Sequence, residues 1–551
     1  MDRGPDLVDD GDVDTIVVAV LGLAVAALVA RLVALGERPF HWGEARVGYW
    51  ALRYAETGAF GYRPVAGGPL PYHLARWSIA ALGAADATAR LPVALVGGAT
   101  PLVALAFRDA LADDETVAFA GLLAAAPPLL YYSRALRGDA LLAAFGLATV
   151  GLVHRWRAGG NRRTLYAAAG ALALAAASSG YVVAYAGCWL LAAWLTFDRL
   201  RVRGVPAAAV TAQAERLSDR LRGSATPLAR SLFVFLGGVV VLFAPRPALT
   251  TAPLTALSDA LVGAPRRFLA VRLLARRSHG DALIPFVVDH VGALVGSSLA
   301  LVGLAAVGVA LVRYRPTDRP TVTFVAFWGL TSVLVVPVAA STAAPWTAVH
   351  TVAPLCLPAA VALARLGRLL RQAVAVADVG RTLAALLLVA AVGGQFAAAG
   401  AATYGDGGAL TQYGQPADPE FDAAMTAVES AVADSEAAGP DVLYVGESLY
   451  APTESALSAP PVDGAGREAF AARLPLSWYV ERAGARTDSV RTPAAIPETP
   501  PPVVVASDDA AAAVERRLGD DYRGYAVSTA QFDREATVFV RTASGDGSAS
   551  G

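Results

Sequence analysis

One polar stretch carries the first residues that could do chemistry. His41, Glu44 and Arg46 stand together in RPFHWGEARVGYWALRY (38–54), followed by Tyr49, Trp50, Arg53 and Tyr54. If 43–57 is helical, Glu44 and Val47 share a face with Ala51 and Tyr54, while Arg46, Trp50 and Arg53 share another by i, i+3 and i+4 spacing. That pattern predicts an interfacial helix with aromatic anchors and one acidic group exposed to whatever binds above a membrane. A carboxylate partly desolvated there can be tuned toward neutral pH and can deprotonate an attacking hydroxyl or amide, which makes Glu44 a candidate general base. The competing reading is an ion pair with a nearby arginine.

A second constellation is YYSRALRGDALLAAF (131–145). Arg134 and Arg137 are spaced one helical turn apart, and two guanidinium groups at a membrane surface suit a phosphate or pyrophosphate through their paired planar donors. Asp139 stands where the next span opens, as a second catalytic acid or as a helix N-cap. In PWTAVHTVAP (345–354), Trp346 and His350 fall on one helical face, to line a lipid groove or simply to pack. The segment 265–286 is basic, which suits either lipid phosphate or side chains snorkelling to a membrane surface. His73, His279, His290 and His350 are scattered without zinc-site spacing, and Cys188 and Cys356 both lie in apolar runs, against a disulfide framework or thiolate metal site. No Ser-His-Asp constellation or G-x-S-x-G motif is present.

The elements that must position these residues are apolar. Hydrophobic residues make up 55% of 551, charged ones 17%, and the mean hydropathy is +0.49, too apolar for one soluble domain and too long for one core. A span needs roughly 20 apolar residues. By that measure spans fall near 14–36, 89–108, 115–133, 139–156, 164–180, 181–197, 229–245, 286–312, 320–340, 346–366 and 381–403, eleven in all. Arginine-rich loops at 154–163, 198–223, 312–319 and 365–372 fall on one side if the N-terminus is cytoplasmic. The loop 37–88, the turn 134–138, the loop 246–285 and the C-terminal region then face outward, and 198–228 reads as a cytoplasmic amphipathic helix. The acidic N-terminus lacks the basic start of a cleavable signal peptide. Basic residues are all arginine, and with abundant Ala, Val, Asp and Gly this points to a GC-rich, halophilic source.

Beyond the membrane region, 1–404, the character changes. DVLYVGE (441–447), PVVVAS (502–507) and ATVFVRT (536–542) are β-branched runs, whereas 421–439 and 507–519 keep helical periodicity behind capping residues. A small α/β domain is expected over 405–545, an accessory or substrate-recognition unit, with a disordered tail at 546–551. From Gly405 onward 23 acidic residues face 10 arginines, a net charge of −13 that excludes nucleic acid as a partner for this region.

The blocks RPFHWGEARVGYWALRY, YRPVAGGPLPYH, AADATARLPVALVGGATPLV, YYSRALRGDALLAAF, PWTAVHTVAPL, YGQPA and RLPLSWYVERAGA, in this order, resemble the archaeal flippase-activity-associated family of the protein N-glycosylation pathway. That family is similar to the dolichyl-phosphate-mannose–protein mannosyltransferases of the GT-C class. The resemblance implies an α-helical polytopic membrane protein of GT-C type with a catalytic first outer loop. It implies a polyprenyl (dolichyl) phosphate sugar as donor and a glycoprotein or lipid-linked glycan as acceptor. Glu44 and Asp139 are then the catalytic candidates. Contacts to the substrate and its lipid phosphate fall on His41, Arg46, Tyr62, Arg63, His73, Arg134, Arg137, Trp346 and His350. Two positions depart from the family pattern: Gly43 stands where HWDEAR has Asp, and Gly67 where HGP has His. Loss of the first carboxylate leaves Glu44 alone or with Asp139, and opens the alternative of a non-catalytic protein that handles or organises lipid-linked sugars.

Overall fold

In the computed structural model the described residues are 14–62, 67–202, 223–267, 283–314, 319–340, 344–405, 408–411, 419–435, 439–454, 465–529 and 534–542. Each of the eleven predicted spans is helical there. The helices are α1 (Thr15–Leu32), α2 (Trp42–Thr57), α3 (Leu70–Leu82), α4 (Asp86–Ala99, continued by 3-10 turns to Ala110), α5 (Asp113–Ala125), α6 (Pro127–Tyr132) and α7 (Gly138–Gly159). They continue with α8 (Arg162–Ser178), α9 (Val182–Val202), α10 (Ala225–Phe243), α11 (Leu283–Tyr314), α12 (Pro320–Ala339), α13 (Ala348–Ala375) and α14 (Val379–Tyr404). Among the described residues, seven helices are long and apolar enough to cross a membrane, and Val182–Phe197 is a shorter apolar one.

The third predicted span is not one helix. Pro127 excludes the helical conformation from the residue before it, so Ala126 turns to ψ 121 and the segment divides into α5 and α6. The centre of the bundle is the helix through α13, whose apolar window is 94% buried, whereas that of α14 is only 6% buried. Outward-facing Val18, Val25 and Val29 of α1 and Leu383 and Leu387 of α14 are exposed apolar side chains that hydrocarbon, not water, would cover. The amphipathic helix predicted over 198–228 and the basic run from 268 to 282 lie largely outside the described residues.

The C-terminal part is an α/β domain. Its elements are α15 (Pro419–Ala433), β1 (Val442–Val445), α16 (Ala465–Ala472), α17 (Leu476–Arg482), β2 (Thr487–Val490), β3 (Val503–Ser507), α18 (Asp508–Leu518), β4 (Tyr522–Thr529) and β5 (Arg534–Arg541). Strand order is β2-β1-β3-β5-β4; β1 runs parallel to β2 and β3, and β5 antiparallel to β3 and β4. Val442 lies opposite Thr487 on one side and Val503 on the other, and Val504 faces Phe539. β1 and β3 read as unbroken apolar runs because both faces of the sheet are covered. Leu443, Val445, Val504 and Ala506 pack on α18, whereas Val442, Tyr444, Val503 and Val505 belong to a core shared with α15, α17 and the first loop.

That shared core changes the role of α2. Trp478 of α17 stacks on Phe40 with centroids 5.1 Å apart, and Tyr479 accepts from the Phe40 N–H at 2.8 Å. Asp86 at the start of α4 accepts from Trp478 Nε1 (2.7 Å), Tyr479 Oη (2.8 Å) and Arg482 (2.8 Å). Arg53 meets Glu481 at 2.8 Å. The helix is therefore clamped between the bundle and the sheet domain. Glu44, Val47, Tyr49, Trp50 and Tyr54 are all buried, so the expectation of an interfacial helix with an exposed acid is corrected.

Candidate functional site

Glu44 is fixed by the start of its own helix. His41 caps α2, its ring Nδ1 accepting from the Gly43 N–H at 3.1 Å while Glu44 Oε2 accepts from the His41 N–H at 3.2 Å, a capping box with His in the place usual for Ser or Thr. Arg90 of α4 then closes on the carboxylate with two parallel bonds, Nε to Oε1 at 2.8 Å and Nη2 to Oε2 at 2.9 Å. The Leu136 N–H adds a third donor, 2.7 Å from Oε1. Both groups have essentially no exposure, 0% for Glu44 and 1% for the Arg90 side chain. Burial pushes the Glu44 carboxyl up, but the Arg90 guanidinium, the Arg38 charge and the Leu136 N–H outweigh it and hold the group at about 2. Glu44 thus makes the ion pair that was its competing reading, with an arginine 46 residues away.

Asp139 is placed by a close approach. A Cβ on Gly138 would fall 1.8 Å from the Ser178 carbonyl oxygen, so only glycine lets the first turn of α7 press against the end of α8. Asp139, the next residue, accepts from Arg137 Nε at 2.9 Å and from Ser179 Oγ at 3.0 Å, and its Oδ1 lies 3.2 Å from His350 Nε2. It lies inside the helix and the N-cap position is Arg137, so the capping reading of Asp139 is corrected. His350 in turn has Nδ1 3.3 Å from the Tyr185 hydroxyl and its ring 4.5 Å from that of Tyr181.

Above Asp139, the Arg137 guanidinium lies 3.9 Å from the centroid of Trp346, whose ring is 6.2 Å from His41. Arg137 and His41 come together at Gly43: a Cβ there would stand 3.3 Å from Arg137 Nη1 and 3.2 Å from His41 Nδ1. His41, Gly43, Arg137, Asp139, Trp346 and His350 therefore form one cluster. Its chemistry is a guanidinium packed close against a glycine and joined to a carboxylate–imidazole pair, groups able to hold an anion and to accept a proton.

Other predicted residues lie elsewhere. Arg134 and Arg137 do not share a helical turn, because α6 ends at Tyr132. Arg134 instead donates to the carbonyls of Val33 (2.8 Å), Ala34 (3.0 Å) and Thr403 (3.3 Å) and lies over Tyr404. His73 is buried with Nε2 2.8 Å from the Leu242 carbonyl, between Phe60 and Tyr54; burial, partly offset by that carbonyl, pulls it down to about 4. Tyr62 packs on Phe243 and reaches the Gly67 carbonyl, and Arg46 lies over Trp42. Arg63 lies outside the described residues. Sequence reasoning passed over Arg90, Ser179 and Tyr185. For Arg90 a signal existed, since a lone arginine just inside an apolar span demands a buried partner.

Comparison with known proteins agrees with this architecture. Residues 421–541 match the family described as Agl23 flippase-associated protein C-terminal domain. The fold is similar to that of ArnT from Cupriavidus metallidurans in a crystal structure bound to undecaprenyl phosphate, with TM-score 0.57, 17% identity, and 94% of this chain and 97% of that one covered. The apo form of the same protein gives TM-score 0.55 and 16% identity over 96% and 98%. The apo oligosaccharyltransferase of Archaeoglobus fulgidus gives TM-score 0.51 and 13% identity over 95% and 75%. No curated protein matches the chain in sequence. The chain thus has a membrane fold of GT-C type, and its residues 421–541 match the family described as Agl23 flippase-associated protein C-terminal domain.

Proposed function

We propose that the protein binds a polyprenyl-phosphate-linked sugar at the outer face of the membrane and acts on it as a GT-C-like glycosyltransferase of protein or lipid glycosylation. The observation that carries this reading is the convergence of Arg137, Asp139 and His350 beneath the first outer loop. Arg137 would hold the lipid phosphate with its two terminal nitrogens, since its Nε is taken by Asp139. Asp139 would take the proton of the acceptor hydroxyl while the acceptor oxygen attacks the anomeric carbon. The bond from that carbon to the phosphate oxygen breaks with inversion, and the polyprenyl phosphate leaves with the electron pair. His350 would orient Asp139 and stabilise its charge. Arg90-bound Glu44 would hold the loop rather than act as base, because its oxygens already accept from four donors. The N-terminus would be cytoplasmic and the sheet domain extracytoplasmic, in line with the arginine-rich loops of the opposite side.

A second reading, lipid-linked sugar handling without transfer, is favoured by one observation: the backbone facing Arg137 at position 43 carries no carboxylate. Purified protein with a radiolabelled polyprenyl-phosphate sugar separates the two. Transfer or hydrolysis that Asp139→Asn abolishes while lipid binding persists supports the enzyme. Binding that depends on Arg137 with no turnover under any acceptor supports the second. Lipid binding indifferent to Arg137→Ala refutes both.

A further inference from the structure

A cavity of about 540 Å³ opens between α2 and the sheet domain. It lies further along α2 than Gly43, beside Tyr49, Arg53 and Glu56. Pockets that hold small ligands run roughly 300–1,000 Å³. The walls are aromatic, with Tyr49, Tyr444 and Phe470 facing one space and Phe470 5.1 Å from Tyr49. Between them stand paired charges. Arg473, only 3% exposed, lies 3.9 Å from the centroid of Tyr444 and holds Glu454 by two bonds of 2.7 and 2.8 Å. On the opposite side Arg53 holds Glu481 at 2.8 Å. Tyr444, 1% exposed, lines the same space, and Arg53 Nε is buried with no hydrogen-bond partner among the described residues.

The charge balance says what class of ligand fits. Arg53, Arg473 and Arg486 line the cavity against Glu56, Glu454 and Glu481, so the formal sum is zero and a phosphate or carboxylate gains nothing over a neutral molecule. Carboxylates fixed by arginines are strong acceptors for hydroxyl groups, guanidinium edges are donors, and aromatic faces suit the C–H faces of a pyranose ring. An apolar ligand would take these charged pairs out of water without offering them any hydrogen bond in return. From this geometry we infer that the cavity between α2 and the sheet domain is a binding site for a neutral saccharide unit, separate from the Gly43 cluster. The site stands on its own contacts and does not require that the protein transfer sugar.

The test uses full-length protein in detergent and soluble probes: methyl glycosides of mannose, glucose and galactose, with glucuronate as the charged comparator. Saturation-transfer NMR and calorimetric titration are expected to show at least one neutral glycoside binding in the millimolar range. Phe470→Ala should weaken it about tenfold or more, and Tyr444→Phe, which removes a single hydroxyl, severalfold. Binding of polyprenyl phosphate, measured on the same preparations, should be unchanged by either substitution, so loss of the lipid site and loss of this site are told apart. Absence of binding by all three neutral glycosides overturns the inference. So does binding that both variants leave intact, or a preference for glucuronate.

Discussion

Removing Arg90 gives the sharpest check on why the first loop is built as it is. Its guanidinium does two things at once. It neutralises Glu44 through two bonds, and it donates to the carbonyls of Leu35 (3.1 Å), Arg38 (2.7 Å) and Pro39 (3.2 Å), which belong to the chain entering α2. Arg90→Leu would leave a buried carboxylate with only the Leu136 and His41 N–H groups, together with three carbonyls deprived of a donor. Breaking a buried pair from one side costs about 3–5 kcal/mol. Glu44→Gln is milder, because Arg90 keeps those three carbonyls and the amide oxygen can still accept from Leu136; about 2 kcal/mol is expected. The double variant Glu44→Leu with Arg90→Leu should be less damaging than the sum of the two single ones, since no charge is then stranded. The assay is a double-mutant cycle of unfolding in detergent followed by tryptophan fluorescence, run beside the sugar-transfer or lipid-binding assay. A structural Glu44 requires stability and activity to fall together in Glu44→Gln. Full stability with activity lost would refute this reasoning and return Glu44 to the role of base. Arg90→Leu as stable as the parent would refute the pairing energy itself.

Other outcomes follow from the same geometry. Gly43→Asp places a second carboxylate against Arg137, whose Nη1 lies 3.3 Å from the new Cβ, and should weaken polyprenyl-phosphate binding about tenfold in a titration; unchanged affinity would remove Arg137 from the phosphate site. Asp86→Asn gives up the charged acceptor shared by Trp478, Tyr479 and Arg482, and should cost about 1.5–3 kcal/mol and expose the sheet domain to faster limited proteolysis. Acid should act through Glu44. Its folded value, lowered from 4.5 to about 2, means that its contribution of about 3 kcal/mol is complete above pH 4.5 and disappears as pH falls toward 2. In acid titrations Glu44→Gln should flatten this part of the stability curve, and an unchanged curve would show that another group governs acid unfolding.

Much of this architecture was legible in the residues. Each apolar run became a helix because hydropathy is a summed property that tolerates errors of a few positions. β1, β3 and β5 were legible for the same reason, as β-branched runs. β2 was not, since TDSV is four residues with only Ser489 buried, at the sheet edge. Asp139, Arg137, Trp346 and His350 were each singled out and do meet, but their meeting depends on Gly138, whose contact with Ser178 leaves no trace in periodicity. Glu44 and Arg90 illustrate the other limit. Their pairing spans two elements, and a carboxylate at a membrane edge reads equally as base or as tether until its partner is located. The burial of α2 was hidden because the cover comes from α17, more than 400 residues further along.

The grip of α17 on Phe40 and Asp86 bears on how this molecule can be taken apart. A cut after Tyr404 follows the change in composition, yet it would strip Trp478 and Tyr479 from one fragment and the flank of α2 from the other. Each piece would carry a raw greasy wound, and the tail expressed alone should clump unless a segment spanning Phe40 to Tyr54 is supplied with it. What looks like a removable module in sequence is mechanically half of a joint.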